Sequence, residues 1–180
     1  MKRLFIKSFA FSCLLLFVVL AGCSGSRPAT TGGPQASAAS PAAVSSSADV
    51  VKLRTDAVAL PAGGNIDGKV VLSISSGFHI NANPATFSYL IATELTTGKT
   101  EGITVGAPGY PAAVKKKFQF AEEPLAVYEG EVGVNLNLRA EKNTAAGPRL
   151  LPITVRVQAC DEEKCYPPAT LNSAIPVTVK

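Results

Sequence analysis

The sequence holds few of the residues that build metal and cofactor sites. It has one histidine, one methionine, no tryptophan and four cysteines in 180 residues. The single methionine is Met1, so the folded part offers no thioether ligand for copper(I), and no second histidine is available to complete a metal site. No two cysteines have the Cys-x-x-Cys spacing, which excludes a thioredoxin. We expect no cofactor and no resident metal.

Charge of either sign is also scarce. The chain has 17 Lys and Arg against 13 Asp and Glu, and three of the basic residues fall within the first seven positions. Without that segment the net charge is +1, which gives no support for nucleic-acid binding. The one basic cluster, Lys115 to Lys117, is typical of a solvated loop or strand edge.

The first 22 residues have the pattern of an export signal. Lys2, Arg3 and Lys7 precede an apolar run from Phe9 to Leu20, which is too short for a permanent membrane span. We therefore expect residues 1–22 to be a signal peptide that is removed together with Cys13.

The end of that run resembles the lipobox of bacterial lipoproteins. It reads Leu20-Ala21-Gly22-Cys23, and the resemblance implies that Cys23 becomes the lipidated first residue. An ordinary signal peptide that happens to contain a cysteine is the alternative. Lipidation would anchor the protein at the periplasmic face of a bacterial membrane, and Ser24 somewhat favours the outer membrane.

A tether is predicted for residues 23–47. The stretch is almost entirely Ser, Ala, Gly, Pro and Thr, with Arg27 as its only charge and Val44 as its only large aliphatic residue. It cannot bury enough apolar surface to offset its ordering entropy, so we expect it to be disordered. As a flexible coil it would reach roughly 25 to 30 Å.

Residues 48–180 have the size and patterning of one all-β domain. Apolar residues recur with period two in four segments, as expected for strands with one buried face, and turn signals separate the segments. We predict seven to nine strands in an immunoglobulin-like antiparallel β-sandwich, with a small barrel as the alternative. The alternating positions are Val70, Leu72 and Ile74; Val132, Val134, Leu136 and Leu138; Ile153, Val155 and Val157; and Ile175, Val177 and Val179.

Cys160 and Cys165 are the candidate chemical site. We expect Cys160 to end one strand, Asp161 to Lys164 to form a turn, and Cys165 to open the next strand, which brings the two sulfurs within disulfide distance. A bond closing so short a loop stabilises comparatively little, so it is a candidate for redox exchange. A purely structural hairpin disulfide is the alternative, and the spacing alone does not separate the two.

The local charges differ between the two cysteines. Asp161, Glu162 and Glu163 disfavour a thiolate at Cys160, whereas Lys164 favours one at Cys165. We therefore expect Cys165 to be the attacking sulfur.

Four segments resemble the N-terminal periplasmic domain of the thiol:disulfide interchange protein DsbD. They are Gly77 to Asn83, Val127 to Gly130, Gln158 to Cys160 and Cys165 to Pro168. The resemblance implies an immunoglobulin-like sandwich whose cysteine pair, here Cys160 and Cys165, takes electrons from a thioredoxin-like module. In that family the cysteine pair passes the electrons on to disulfide isomerases or cytochrome c maturation proteins. The resemblance also implies that Cys165 forms the mixed disulfide with the partner.

The same resemblance implies a cap loop that shields the cysteines with an aromatic ring. Phe120 is the first candidate and Phe118 the second. His79, Asn81 and Tyr166 would line the site, although known members carry tyrosines at the positions of His79 and Asn81. His79 could exchange protons near the thiols, or it could be a packed residue in a strand.

Three classes of function remain open from the sequence. The first is a lipid-anchored thiol-disulfide exchange domain, for which a separate reductant is expected because the membrane and thioredoxin-like domains of the relay proteins are not found before Lys180. The second is a non-catalytic binding or assembly module with a structural disulfide. The third is a metal-binding protein using Cys160, Cys165 and His79.

Overall fold

The computed structural model describes residues 43–180, so the predicted signal peptide, the lipidation site at Cys23 and most of the tether lie outside the described residues. No helix within residues 43–180 is long and apolar enough to cross a membrane. The elements in chain order are α1 (Ser47–Val50), β1 (Val51–Thr55), β2 (Val58–Leu60), β3 (Asn65–Ile74), β4 (His79–Asn81), β5 (Glu94–Thr97), β6 (Ile103–Val105), β7 (Val114–Lys116), β8 (Leu125–Tyr128), β9 (Glu131–Ala140), β10 (Gly147–Val157), β11 (Ala159–Cys160) and β12 (Ala169–Val179).

The four long strands are those with alternating apolar residues. β3, β9, β10 and β12 have 10 or 11 residues each, and every alternating position predicted from the sequence is buried. Each such Val, Leu or Ile side chain removed from water contributes about 1.5 to 3 kcal/mol. The burial of one face of each long strand therefore holds the domain together, and the predicted all-β, immunoglobulin-like sandwich is confirmed.

The strands form three four-stranded sheets. Their orders are β1-β3-β9-β6, β2-β12-β10-β5 and β11-β4-β8-β7. One hydrophobic cluster joins all three sheets, with members such as Leu72 in the first, Val155 in the second and Ile80 in the third. All pairs are antiparallel except β2 with β12, which run parallel. Only two residues separate β1 of the first sheet from β2 of the second.

The third sheet extends the long strands and raises the strand number to twelve, above the seven to nine expected. β3 and β4 are separated by a turn, β10 and β11 by Gln158, and β8 and β9 by a turn at Gly130. The φ of Gly130 is 65°, a left-handed conformation that glycine adopts at little cost. The added strands have two to four residues, too few to show a period. This sheet carries the cysteine pair.

The end of the predicted tether packs against the sandwich. Ser46 caps α1, and Ser47 is buried although the sequence analysis placed it in the tether. The Oγ of Ser47 donates a hydrogen bond to the carbonyl of Pro167 (2.8 Å) and accepts one from the backbone N–H of Ala159 (2.8 Å). Ser47 is thus part of the packed domain and lies next to the cysteine hairpin.

Candidate redox site

Cys160 and Cys165 are joined by a disulfide at one end of the third sheet. The Sγ atoms are 2.06 Å apart, and the backbone N–H of Asp161 donates to the carbonyl of Lys164 (2.9 Å), which closes the predicted four-residue turn. The expectation that Cys165 opens the next strand is wrong. Cys165 makes only a single bridge to Cys160. Regular pairing resumes only at Ala169, because Pro167 and Pro168 have no backbone N–H to donate.

The two cysteines differ in exposure. Cys160 is buried, with 1% of its surface exposed, whereas Cys165 is partly exposed. Cys165 is therefore the more accessible residue of the pair to a reactant approaching from solvent. This difference in access supports the same nucleophile as the predicted charge asymmetry.

Asp161 organises the loop between the cysteines. Its Oδ1 accepts hydrogen bonds from the backbone N–H groups of Glu163 and Lys164 (2.8 Å each), and its Oδ2 accepts one from Tyr166 Oη (2.6 Å). Partial burial acts to raise the pKa of Asp161, but these hydrogen bonds outweigh it and hold the pKa below its ordinary value. The same Asp161 hydrogen bond raises the pKa of Tyr166. The loop is thus fixed by bonds other than the disulfide.

The charges of the loop are not all free to act on the thiols. Glu162 Oε1 lies 2.7 Å from Lys116 Nζ, so its charge is balanced. The ammonium group of Lys164 lies 5.2 Å from the centre of the Tyr166 ring, a cation–π contact with the residue that follows Cys165. Tyr166 also packs against Phe78, with ring centres 5.7 Å apart. The charge asymmetry between the two cysteines is therefore smaller than the sequence alone predicts. The greater exposure of Cys165 acts in the same direction as the remaining asymmetry.

His79 is the direct cross-strand neighbour of Cys160. It lies in β4, is 3% exposed, and pairs with Cys160 of β11. Its Nε2 is 2.7 Å from Lys116 Nζ and 3.2 Å from Glu129 Oε2. Its Nδ1 is buried and has no hydrogen-bond partner among residues 43–180. The structure therefore brings His79 to the cysteine pair, as the family resemblance implied.

The two cap candidates lie on top of each other. Phe118 is buried, with 1% exposed, and meets the His79 ring edge-on at 5.3 Å between ring centres. Phe120 is 40% exposed and stacks on Phe118 at 5.2 Å. Phe118, the second candidate, thus contacts the neighbour of Cys160, while Phe120 covers Phe118. Phe118, Leu125 and Val127 form a separate small cluster that anchors the loop.

Asn81 lies two residues beyond His79 along β4, further from the cysteines. Its Nδ2 donates to Gln158 Oε1 and to the carbonyl of Ile91 (3.1 Å each), and the same Gln158 oxygen accepts the backbone N–H of Ile91 (3.1 Å). The side chain therefore joins the residue that leads into Cys160 to a neighbouring loop, and these hydrogen bonds do not involve either sulfur.

Three residues of the site were not found from the sequence. They are Lys116, Glu129 and Ser47. Lys116 belonged to a run assigned to a solvated edge, and it does lie in the edge strand β7, but alternation turns its side chain toward His79. A cleft of about 470 Å³ opens beside His79, Lys116 and Glu129. In the sequence, Glu129 stands out only as part of the segment from Val127 to Gly130, and no pattern marks Ser47 as a site residue.

Residues 54–175, about two thirds of the chain, match the sequence model of one family, described as "Thiol:disulfide interchange protein DsbD, N-terminal". The chain belongs to the DsbD N-terminal domain family. Together with the Cys160–Cys165 disulfide, this membership makes residues 54–175 a thiol-disulfide interchange domain. A search of curated proteins gave no match.

Solved DsbD N-terminal domains are among the structures similar to this chain. The reduced domain from Neisseria meningitidis is 19% identical, with 63% of this chain and 79% of that chain covered and a TM-score of 0.42. The structure of the complex between the DsbD and PilB N-terminal domains from the same organism gives 16% identity, with 60% of this chain and 73% of that chain covered and a TM-score of 0.40. The N-terminal periplasmic domain of ScsB from Proteus mirabilis is 13% identical, with 70% of this chain and 44% of that chain covered and a TM-score of 0.41.

Proposed function

We propose that this protein passes electrons through the Cys160–Cys165 pair to or from thioredoxin-fold proteins in the periplasm. The observation that carries the proposal is the geometry of the pair in a DsbD N-terminal domain: a disulfide across a four-residue loop, with Cys160 buried and Cys165 partly exposed. Disulfide isomerases and cytochrome c maturation proteins are the acceptors that the family resemblance implies.

The exchange proceeds in two steps. In the reduced domain the Cys165 thiolate attacks the partner's disulfide, forming a Cys165–partner disulfide and releasing one partner thiolate. Cys160, as a thiolate, then attacks Cys165, forming the Cys160–Cys165 bond and releasing the second partner sulfur. The two released thiolates take up the two protons that Cys165 and Cys160 lost. Two electrons pass to the partner, and the reverse sequence reduces the domain.

The loop geometry fits a disulfide that opens and closes. In the chain-entropy description a loop this short gives a bond worth about 2 kcal/mol. The hydrogen bonds of Asp161 and the bond from Tyr166 N–H to the Ala159 carbonyl (2.8 Å) do not involve sulfur. Reduction therefore leaves most of the contacts of the loop in place.

The lipid anchor on Cys23 is part of the proposal. It rests on the Leu20-Ala21-Gly22-Cys23 sequence and on the export signal before it. A tether of roughly 25 to 30 Å would let the domain reach partners away from the membrane. Ser24 is the reason for favouring the outer membrane.

A redox titration of the lipid-free protein, residues 24–180, tests the exchange function against the structural-disulfide alternative. We expect reversible reduction of Cys160–Cys165 against a thioredoxin redox couple, with the β-sheet circular dichroism and cooperative melting kept in the reduced state. A Cys160→Ser/Cys165→Ser double variant controls for effects of the reductant on the fold. Loss of cooperative melting on reduction would favour the binding or assembly module with a structural disulfide.

A further inference from the structure

Three side chains of the redox site lie in one row across the third sheet. Cys165 bridges to Cys160, and Cys160 pairs with His79 on the neighbouring strand. Residues directly opposite each other in an antiparallel pair have side chains on the same face, with Cβ atoms about 4.5 to 5.5 Å apart. The imidazole of His79 therefore lies on the same face of the sheet as the sulfur of Cys160.

The two ring nitrogens of His79 have different surroundings. Nε2 is 2.7 Å from the ammonium of Lys116, which can only donate, and 3.2 Å from the carboxylate of Glu129, which can only accept. The shorter contact, to Lys116, favours Nε2 as the acceptor. In a neutral imidazole the hydrogen is then on Nδ1. Nδ1 is buried and has no partner among residues 43–180. A buried donor without a partner is rare in native structures and calls for a functional explanation.

Two charged groups contact His79 among residues 43–180, and both do so at Nε2. Lys116 comes from β7, and Glu129, from the segment after β8, lies 3.2 Å from Nε2. Glu162 of the redox loop pairs with Lys116 on its other side (2.7 Å). The ring of Phe118, which is apolar, meets the imidazole edge-on. The ammonium of Lys116 lies closer to Nε2 than the carboxylate of Glu129 does, so it polarises the ring and makes Nδ1–H a stronger donor.

We propose that His79 donates a hydrogen bond from Nδ1 to the Cys160 sulfur when that sulfur is a thiolate. When a partner thiolate attacks Cys165, the Cys160–Cys165 bond breaks and its electron pair stays on Cys160. The Nδ1–H of His79 stabilises this charge, so Cys160 is the better leaving group and the attack on Cys165 is productive. In the opposite direction the same bond keeps Cys160 available as the thiolate that resolves the mixed disulfide.

The inference rests on the proposed exchange function, but its test does not need a protein partner. The rate at which dithiothreitol reduces Cys160–Cys165 is measured in the lipid-free protein, residues 24–180, and in two variants. We expect His79→Phe, which keeps an aromatic ring against Phe118 but has no donor, to react about tenfold more slowly. His79→Gln, which keeps an N–H donor, should stay within about threefold of the parent protein.

Whether replacement of His79 slows or accelerates reduction by dithiothreitol separates a hydrogen-bond donor from a residue that only shields the disulfide. If His79 only packs under Phe118, its replacement loosens the cover and His79→Phe reacts at the same rate or faster, which overturns the proposal. Equal slowing in His79→Phe and His79→Gln also overturns it, because the donor would then not matter. Failure of exchange with proteins, with the dithiothreitol result as expected, would contradict the proposed function alone.

A second pair of variants applies if His79→Phe does not fold. Lys116→Met removes the charge at Nε2 and the ion pair with Glu162, whereas Glu162→Gln removes only the ion pair. We expect Lys116→Met to be reduced at least about threefold more slowly than Glu162→Gln, because only the first weakens the polarisation of His79. Equal rates in the two variants would overturn the proposal.

Discussion

The Oγ of Ser47 accepts a hydrogen bond from the backbone N–H of Ala159 at 2.8 Å, one residue before Cys160. The same hydroxyl donates to the carbonyl of Pro167, two residues after Cys165. One buried side chain of α1 thus connects both arms of the redox hairpin. If Cys23 carries a lipid, the predicted tether ends at the redox site.

Replacement of Ser47 should lower the stability of the domain. Ser47→Ala leaves the buried N–H of Ala159 without its partner, so we expect the free energy of unfolding to fall by about 1 to 3 kcal/mol in urea titrations. Ser73→Ala is the control, because the hydroxyl of Ser73 has only an exposed contact of 3.5 Å with Glu131. Equal midpoints for the two variants would contradict a structural role of Ser47.

The cap can be tested by the rate of disulfide reduction. Phe118→Ala removes the ring that lies against His79, so dithiothreitol should reduce the disulfide several times faster, with some loss of stability. Phe120→Ala removes an outer ring that is 40% exposed, so it should have the smaller effect on the reduction rate and on the stability. A larger acceleration in Phe120→Ala would assign the cap to Phe120, and no acceleration in either would contradict a cap.

Asp161 should make the stability of the loop depend on pH. Its pKa is lowered in the folded state, so the stabilisation is present above its ordinary value of 3.8 and is lost as the pH falls through the lowered value. Asp161→Asn keeps an oxygen for the backbone N–H groups but has no charge to titrate. The difference in unfolding free energy between the two proteins should therefore shrink below about pH 4. A constant difference down to pH 2 would be inconsistent with the stabilised carboxylate.

Membrane attachment should depend on Cys23. If Cys23 carries the lipid, the exported protein should partition into the detergent phase, and Cys23→Ser should either appear in the aqueous phase or remain unprocessed. Cys13→Ser is the matched control, since Cys13 lies in the predicted signal peptide and its change should leave attachment intact. Cleaved Cys23→Ser protein that stays with the membrane would disprove the anchor.

The main sheets could be predicted from the sequence because their strands are long. Ten or eleven residues give a clear alternation, and positions such as Val134 and Val155 are buried as expected. The third sheet could not be predicted in the same way. Its strands are short, and β4 is buried on both faces, so His79, Ile80 and Asn81 show no alternation.

The cysteine hairpin could be predicted because its contacts are local. The spacing of Cys160 and Cys165 limits the turn to four residues, and the turn is found. The neighbours of the pair come from distant parts of the chain: Ser47 is 112 residues before Ala159. Lys116 meets His79 only because β7 and β4 both flank β8, and no sequence pattern gives that order.

The central claim is that Cys165 attacks and Cys160 resolves, and trapping tests it most directly. Each single variant, Cys160→Ser and Cys165→Ser, is reduced and mixed with oxidised thioredoxin, and the mixed disulfide is quantified by non-reducing electrophoresis. Cys160→Ser should accumulate the covalent complex, because the attacking sulfur is present and the resolving one is missing. Cys165→Ser should trap little, since Cys160 is only 1% exposed. Equal trapping by both variants would contradict the division of roles, and trapping by neither, across several thioredoxin-fold proteins, would contradict exchange itself.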